Sequence, residues 1–227
     1  MMSPALPCLI AVALLGGDDA PTSVQEGDAG LLPLFDGVSL DGWERFGGRN
    51  PEAWRVEDGA IVMDGEGGGW IGTRRDYGDF ELRLRFRIVE PGSNSGVYLR
   101  APADTSHISR TGMEIQILDD PHPRYASIQP WQRCGSLYHV APAEPGHLKP
   151  VGEWNDLAIR LEGPRLAILL NGATVVDDRL DQHPELEEEH TGLKRTAGRI
   201  GLQCHDGRVE FKDLSVRELG SPRADGG

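Results

Sequence analysis

The chain has 227 residues, 36 acidic against 23 basic side chains for a formal net charge of −13, and 30 Gly with 16 Pro. That length suits one domain with its own core rather than a two-domain enzyme, and a Gly and Pro content well above the roughly 12% average leaves little room for long helices. The acidic balance argues against nucleic-acid binding, which needs clustered Lys and Arg against phosphate; by itself it names no partner.

The first element is the apolar run Leu6–Leu15. It is too short to span a bilayer and fits the apolar stretch of a secretory signal peptide. No Lys or Arg precedes it and no clean A-x-A site follows. The expectation is a signal peptide over residues 1–20, export to the periplasm or exterior, and no transmembrane span. Residues 21–30 read as a polar linker, 31–219 as the folded domain and 220–227 as a disordered tail.

From there the dominant period is two. In Phe80–Ile88, Phe80, Leu82, Leu84, Phe86 and Ile88 share one face while Glu81, Arg83, Arg85 and Arg87 share the other, as in a half-buried antiparallel strand. Pro91–Gly96 reads as a turn cluster. Val97–Arg100 resumes a strand, with Tyr98 and Arg100 on one face, and Met113–Leu118 follows, with Glu114 and Gln116 together. Leu157, Ile159 and Leu161 alternate in another strand. Arg165–Leu170, Asn171-Gly172 and Ala173–Val176 form the strongest hairpin signal, because Asn-Gly supplies the two positive-φ positions of a type I′ turn. Pro184–His190 reads as a solvated acidic loop or single turn. Arg199–His205 places Ile200, Leu202 and Cys204 on one face and Gln203 and His205 on the other, and Val209–Arg217 closes the domain. Many short strands with little helix point to a sandwich or jelly roll.

No phosphate loop, dinucleotide fingerprint, nucleophile elbow or zincin motif is present. The glycine run Gly65–Gly69 reads as a loop between strands. Cys134 and Cys204 could pair in an oxidising compartment, and Cys204 also reads as a small buried side chain on a strand. Of the five Trp, Trp131 falls in a long irregular segment, Asp119–Ser136, suited to lie over a groove, and Trp154 reads as core. Strand faces carrying titratable groups are the informative feature. Glu114 on such a face could be a general acid, base or metal ligand, and His205 could move protons near neutral pH.

An ordered set of short motifs resembles the 3-keto-disaccharide hydrolase domain family. Leu34-Phe35-Asp36-Gly37 with Gly42-Trp43 opens it, followed by Asp79-Phe80-Glu81-Leu82, Asn94-Ser95-Gly96-Val97-Tyr98-Leu99-Arg100 and Gly112-x-Glu114-x-Gln116-Ile117-Leu118-Asp119. Gly135-x-Leu137-Tyr138, Lys149-Pro150-x-Gly152-Glu153-Trp154-Asn155, Leu170-Asn171-Gly172, Gly198-Arg199-Ile200-Gly201-Leu202-Gln203-x-His205 and Val209-x-Phe211-x-Asp213-Leu214 complete it. The resemblance implies an all-β, concanavalin A-like jelly roll of two antiparallel sheets with a concave groove. It also implies an exported enzyme acting on glycosides already oxidised to a ketone at C3, with such a 3-keto sugar as its partner.

A C3 ketone acidifies the C2 proton, and its removal gives an enolate that can expel the C1 substituent. This needs a base near C2, a donor at the enolate oxygen and help for the leaving oxygen. It does not need the paired carboxylates of an ordinary glycosidase. The resemblance makes Glu114 and His205 the expected proton-handling pair, or ligands for a divalent metal ion. Gln116 and Gln203 are expected to flank them, Tyr98 to bind substrate, Arg100 on the same strand face to polarise the ketone, and Asn94, Tyr138 and Lys149 to hold hydroxyls. The alternative is a non-catalytic carbohydrate-binding module on the same fold.

Overall fold

The structure, a computed structural model, describes residues 30–65 and 67–220. The expected signal peptide, nearly all of the linker and the tail past residue 220 lie outside the described residues. Among those residues no helix is long and apolar enough to cross a membrane.

Among the described residues thirteen strands build two antiparallel sheets. The larger contains β3 (Trp54–Glu57), β4 (Ala60–Met63), β6 (Phe80–Ile88), β9 (Trp154–Glu162), β10 (Arg165–Leu170), β11 (Ala173–Arg179) and β13 (Val209–Glu218) in the order β11-β10-β9-β6-β13-β4-β3, and the short β1 (Leu32–Pro33) also pairs with β13. The smaller contains β2 (Trp43–Phe46), β5 (Trp70–Thr73), β7 (Asn94–Ala101), β8 (Met113–Leu118) and β12 (Arg199–Gln203) in the order β2-β5-β12-β7-β8. A four-residue helix, α1 (Ile108–Thr111), links β7 to β8.

The alternation anticipated for β6 decides how the layers face. Phe80, Leu82, Leu84, Phe86 and Ile88 are buried in the common core with Val97, Leu99, Ile115 and Ile117 of the smaller sheet. Residues i and i+2 point the same way along a strand, so the polar partners of each set must face outward. On the larger sheet that outward face is a lattice of ion pairs. Glu81 is fully buried yet clasped by Arg83 and Arg217. Burial pushes the Glu210 carboxyl up, but hydrogen bonds from Arg87 and Arg208 outweigh it and hold it below the usual carboxylate value. Trp154, expected in the core, stands on this outer face with the cations of Lys212, Arg87 and Arg85 at 4.3, 4.8 and 5.7 Å from its ring.

The Asn171-Gly172 hairpin has positive φ at both positions, 53° and 85°, as a type I′ turn demands. Pro184–Leu186 is a single 3₁₀ turn, although His190 just beyond it is buried. Asn94, Ser95 and Gly96 belong to β7 rather than to a turn, because Leu118, Ile117 and Gln116 of β8 pair with them. Cys134 and Cys204 are both free and buried.

Candidate active site

The outward face of the smaller sheet carries a groove of about 730 Å³. Its floor follows from register. Glu44, Gly72, Gly201, Tyr98 and Glu114 are successive cross-strand partners across all five strands, so they share one face. Phe46, Trp70 and Gln203 form a neighbouring row.

Single glycines in these strands make the floor possible. A Cβ on Gly72 would lie 2.4 Å from the Trp70 ring, and one on Gly201 would lie 2.7 Å from it. Trp70 therefore lies flat over two bare strands. It stacks on Phe46 with centroids 4.2 Å apart, meets Tyr98 edge-on at 5.7 Å, and donates its indole N–H to the Asp104 carbonyl at 3.1 Å. Gly96 does the same for Glu114, since a Cβ there would sit 2.5 Å from the carboxyl oxygen Oε1. An isolated glycine within a strand marks such close approach.

Glu114 is 3% exposed. Burial pushes its carboxyl from 4.5 up to about 8, and a hydrogen bond with Gln203 only partly opposes this. No cation offsets the burial, in contrast to Glu81 and Glu210 on the opposite sheet. Gln203 Nε2 donates to the Tyr98 hydroxyl at 2.7 Å, and Gln203 Oε1 has no hydrogen-bond partner among the described residues. The Tyr98 phenol is held well above 10, first by burial and then by the Glu114 charge, with the Gln203 bond opposing. Gln116 Nε2 donates to Asn94 Oδ1 at 2.8 Å. A buried carboxyl raised into the neutral range, among amides and a phenol with free hydrogen-bonding capacity, can exchange a proton with a bound molecule near neutral pH.

The walls come from loops. Tyr138 lines one side, its backbone N–H donating to the Glu114 carbonyl at 2.9 Å and its ring braced edge-on by Trp131 at 5.0 Å. Trp131 itself stacks on His139 at 3.8 Å, behind the wall. Tyr125 and Gln132 extend this side, and α1 with the residues before it forms another. His205 lies past the end of β12, exposed and lining the groove. The paired backbones of Asn94 and Asp206, at 2.8 and 3.0 Å, fix its segment.

Of the residues expected at the site, Glu114, His205, Asn94, Tyr98, Gln116, Tyr138 and Gln203 all line this one groove. Arg100 and Lys149 do not. Four residues of β7, Tyr98 to Ala101, are matched by only three of β12, Gly201 to Arg199, and Arg100 has a φ of 45°. This bulge turns Arg100 off the face that strict alternation shares with Tyr98. Its guanidinium is buried, donating to the carbonyls of Gly78, Gly163 and Arg195 and to Asp79 at 2.9–3.0 Å. Lys149 Nζ donates to the Trp154 carbonyl at 2.9 Å and pairs with Asp156 at 3.6 Å. Phe46 and Trp70 were not anticipated; the glycines at 72 and 201 were the available signal.

Among the described residues no three of His, Cys, Asp and Glu gather as a metal site would require. Glu114 and His205 have no third ligand of that kind among the described residues. The thiols are poor nucleophile candidates: burial raises Cys204 and pushes Cys134 up to about 12.

Residues 30–217 match the family described as the 3-keto-alpha-glucoside-1,2-lyase-like domain. A Bacteroides thetaiotaomicron protein named 3-keto-disaccharide hydrolase is 30% identical, over 84% of this chain and 79% of its own length. A candidate glycosyl hydrolase from Parabacteroides distasonis has a crystal structure similar to this chain with a TM-score of 0.72 at 26% identity, covering 84% of this chain and 94% of that one. The CBM66 carbohydrate-binding module of Bacillus subtilis shares the fold alone, with a TM-score of 0.55 at 14% identity over 78% of this chain and 96% of the module.

Proposed function

The chain belongs to the 3-keto-alpha-glucoside-1,2-lyase-like domain family, and from that membership we propose that it is an exported carbohydrate-active enzyme cleaving the glycosidic bond of 3-keto-glycosides. The observation that carries the reading is Glu114: a buried carboxyl on the groove floor, raised to about 8, with no cation beside it. The export component rests on the apolar run Leu6–Leu15.

In the proposed reaction the Glu114 carboxylate takes the C2 proton. The C2–H electron pair becomes the C2=C3 bond, and the carbonyl pair moves onto O3 as an enolate. The enolate then collapses: C3=O reforms, C1=C2 forms, and the C1–O bond breaks. The leaving oxygen takes a proton from His205. Water adding across the new double bond makes the net change a hydrolysis. In an α-glucoside the C2 proton and the C1 oxygen lie on opposite faces of the ring, so base and acid must approach from two sides. A glutamate on the floor and a histidine on the rim suit that demand.

Incubation with a 3-keto-disaccharide, and separately with the unoxidised disaccharide, tests the reading by mass spectrometry of the products. Cleavage of the ketone alone is expected. Glu114→Gln and His205→Ala should both stay folded and lose turnover. The Phe46–Trp70 platform favours a second reading, a carbohydrate-binding module, because sugar C–H faces stack on aromatic rings. Binding of unoxidised sugar with no turnover of the ketone would select that reading instead.

A further inference from the structure

We infer that Tyr98 is a catalytic residue, the hydrogen-bond donor that stabilises the enolate oxygen at C3. The inference rests on the ketone-cleaving function proposed above and adds a role to it. With Arg100 turned away by the bulge and its guanidinium committed to three carbonyls and Asp79, the groove needs another electrophile for the ketone.

Three observations point to Tyr98. First, Tyr98 and Glu114 are direct cross-strand partners on the same face. Such pairs have Cβ atoms about 4.5–5.5 Å apart. The proton taken at C2 and the oxygen on C3 sit on adjacent carbons, so the base and the enolate donor must be close neighbours. Second, the Tyr98 hydroxyl accepts from Gln203 Nε2 at 2.7 Å. Its oxygen is thereby engaged as an acceptor and its own hydrogen is left to donate. Third, the phenol is 6% exposed, and a donor fixed in a desolvated site acts on developing charge with little reorganisation. Burial and the Glu114 charge keep the phenol neutral well past 10, so it donates a hydrogen bond to O3 and retains its proton. When Glu114 takes the C2 proton, the electron pair that accumulates on O3 is met by the Tyr98 O–H. When C3=O reforms, that bond weakens again, and no net proton is transferred through Tyr98.

The test uses methyl 3-keto-α-glucoside in deuterated buffer, with C2 exchange followed by NMR and cleavage followed in parallel. Tyr98→Phe should lower both rates by about 10²–10³-fold, the cost of removing one oxyanion donor, while the ketone's Kd stays nearly constant. A variant with 3-fluorotyrosine at 98 keeps the shape with a more acidic phenol, and its exchange rate should differ from that of wild type. A wild-type protein active on the ketone, together with a Tyr98→Phe variant within about threefold of it, overturns the role of Tyr98 alone. An unchanged rate in the fluorotyrosine variant also overturns it. A wild-type protein that neither exchanges C2 nor cleaves any 3-keto-glycoside overturns the functional reading itself, and the Tyr98 role with it.

Discussion

Replacing Glu114 by Gln should make the protein more stable at alkaline pH and leave it nearly unchanged at acidic pH. The carboxyl moves from 4.5 to about 8 because the groove floor strips it of water. Below pH 4.5 it is protonated whether the chain is folded or not, so the native state carries no penalty there. Between pH 4.5 and about 8 the unfolded chain releases the proton while the folded chain keeps it, so stability falls as pH rises. Above about 8 both states are ionised and the loss is complete. The full difference corresponds to about 5 kcal/mol. That figure is a ceiling, because an open groove lets water relax around the charge. Gln keeps the shape and cannot ionise. For a domain of this size each kcal/mol moves Tm by about 2–4 °C. Thermal melts of both proteins at pH 5 and pH 9 read the effect directly, with a gap in Tm at pH 9 that closes at pH 5. The same gap at both pH values, or none at either, would refute the assignment of a burial-raised carboxyl.

If Glu114 is the base, only about a tenth of it is ionised at pH 7 in the free protein, so kcat/KM should climb with pH and level off near 8, and that limb should vanish in Glu114→Gln. Gly96→Ala places a methyl group 2.5 Å from Glu114 Oε1. A displaced carboxyl should cost turnover on the order of 10²-fold, with about 1–3 kcal/mol lost in denaturant unfolding; activity close to wild type would show that the seat is not needed. Arg100→Met deletes a buried guanidinium that bonds Asp79 and three backbone carbonyls; Asp79 keeps the Gly163 N–H and partial access to water, so unfolding should lose about 1–3 kcal/mol while kcat per folded molecule holds, and a selective loss of kcat would return Arg100 to the site.

The strands that were legible in the chain share one property: one face is apolar and the other polar. β6, β8 and β9 keep a period of two, and the Asn171-Gly172 turn announces its own geometry. β4 and β5 offer no such contrast: Ala60–Met63 has no polar side chain, and Trp70–Thr73 has a polar one only at Thr73. Their sequences, Ala60–Met63 and Trp70–Thr73, do not alternate, and Trp70 was lost from view with them. Alternation also misplaced Arg100, for a bulge is one inserted residue and nothing local in Tyr98–Ala101 declares it. Glu114 and Gln116 survived because β8 is regular from end to end.

The two sheets divide the acidic residues into kinds that composition cannot separate. On the larger sheet, buried Glu81 and Glu210 are each held by two guanidinium groups. Such clusters fix the ladder and leave nothing free to react. On the smaller sheet Gly96 leaves room for Glu114, Gly72 and Gly201 leave room for the Trp70 ring, and the polar groups of the floor are a carboxyl, a phenol and amides. Keeping an unpaired carboxyl there costs stability above neutral pH, as the folding linkage of Glu114 requires. A floor selected only for stability would pair that carboxyl with Arg or replace it with an apolar side chain. Its place in a desolvated, cation-free seat beside Tyr98 is what distinguishes this face of the sandwich from a surface that merely keeps the protein in solution.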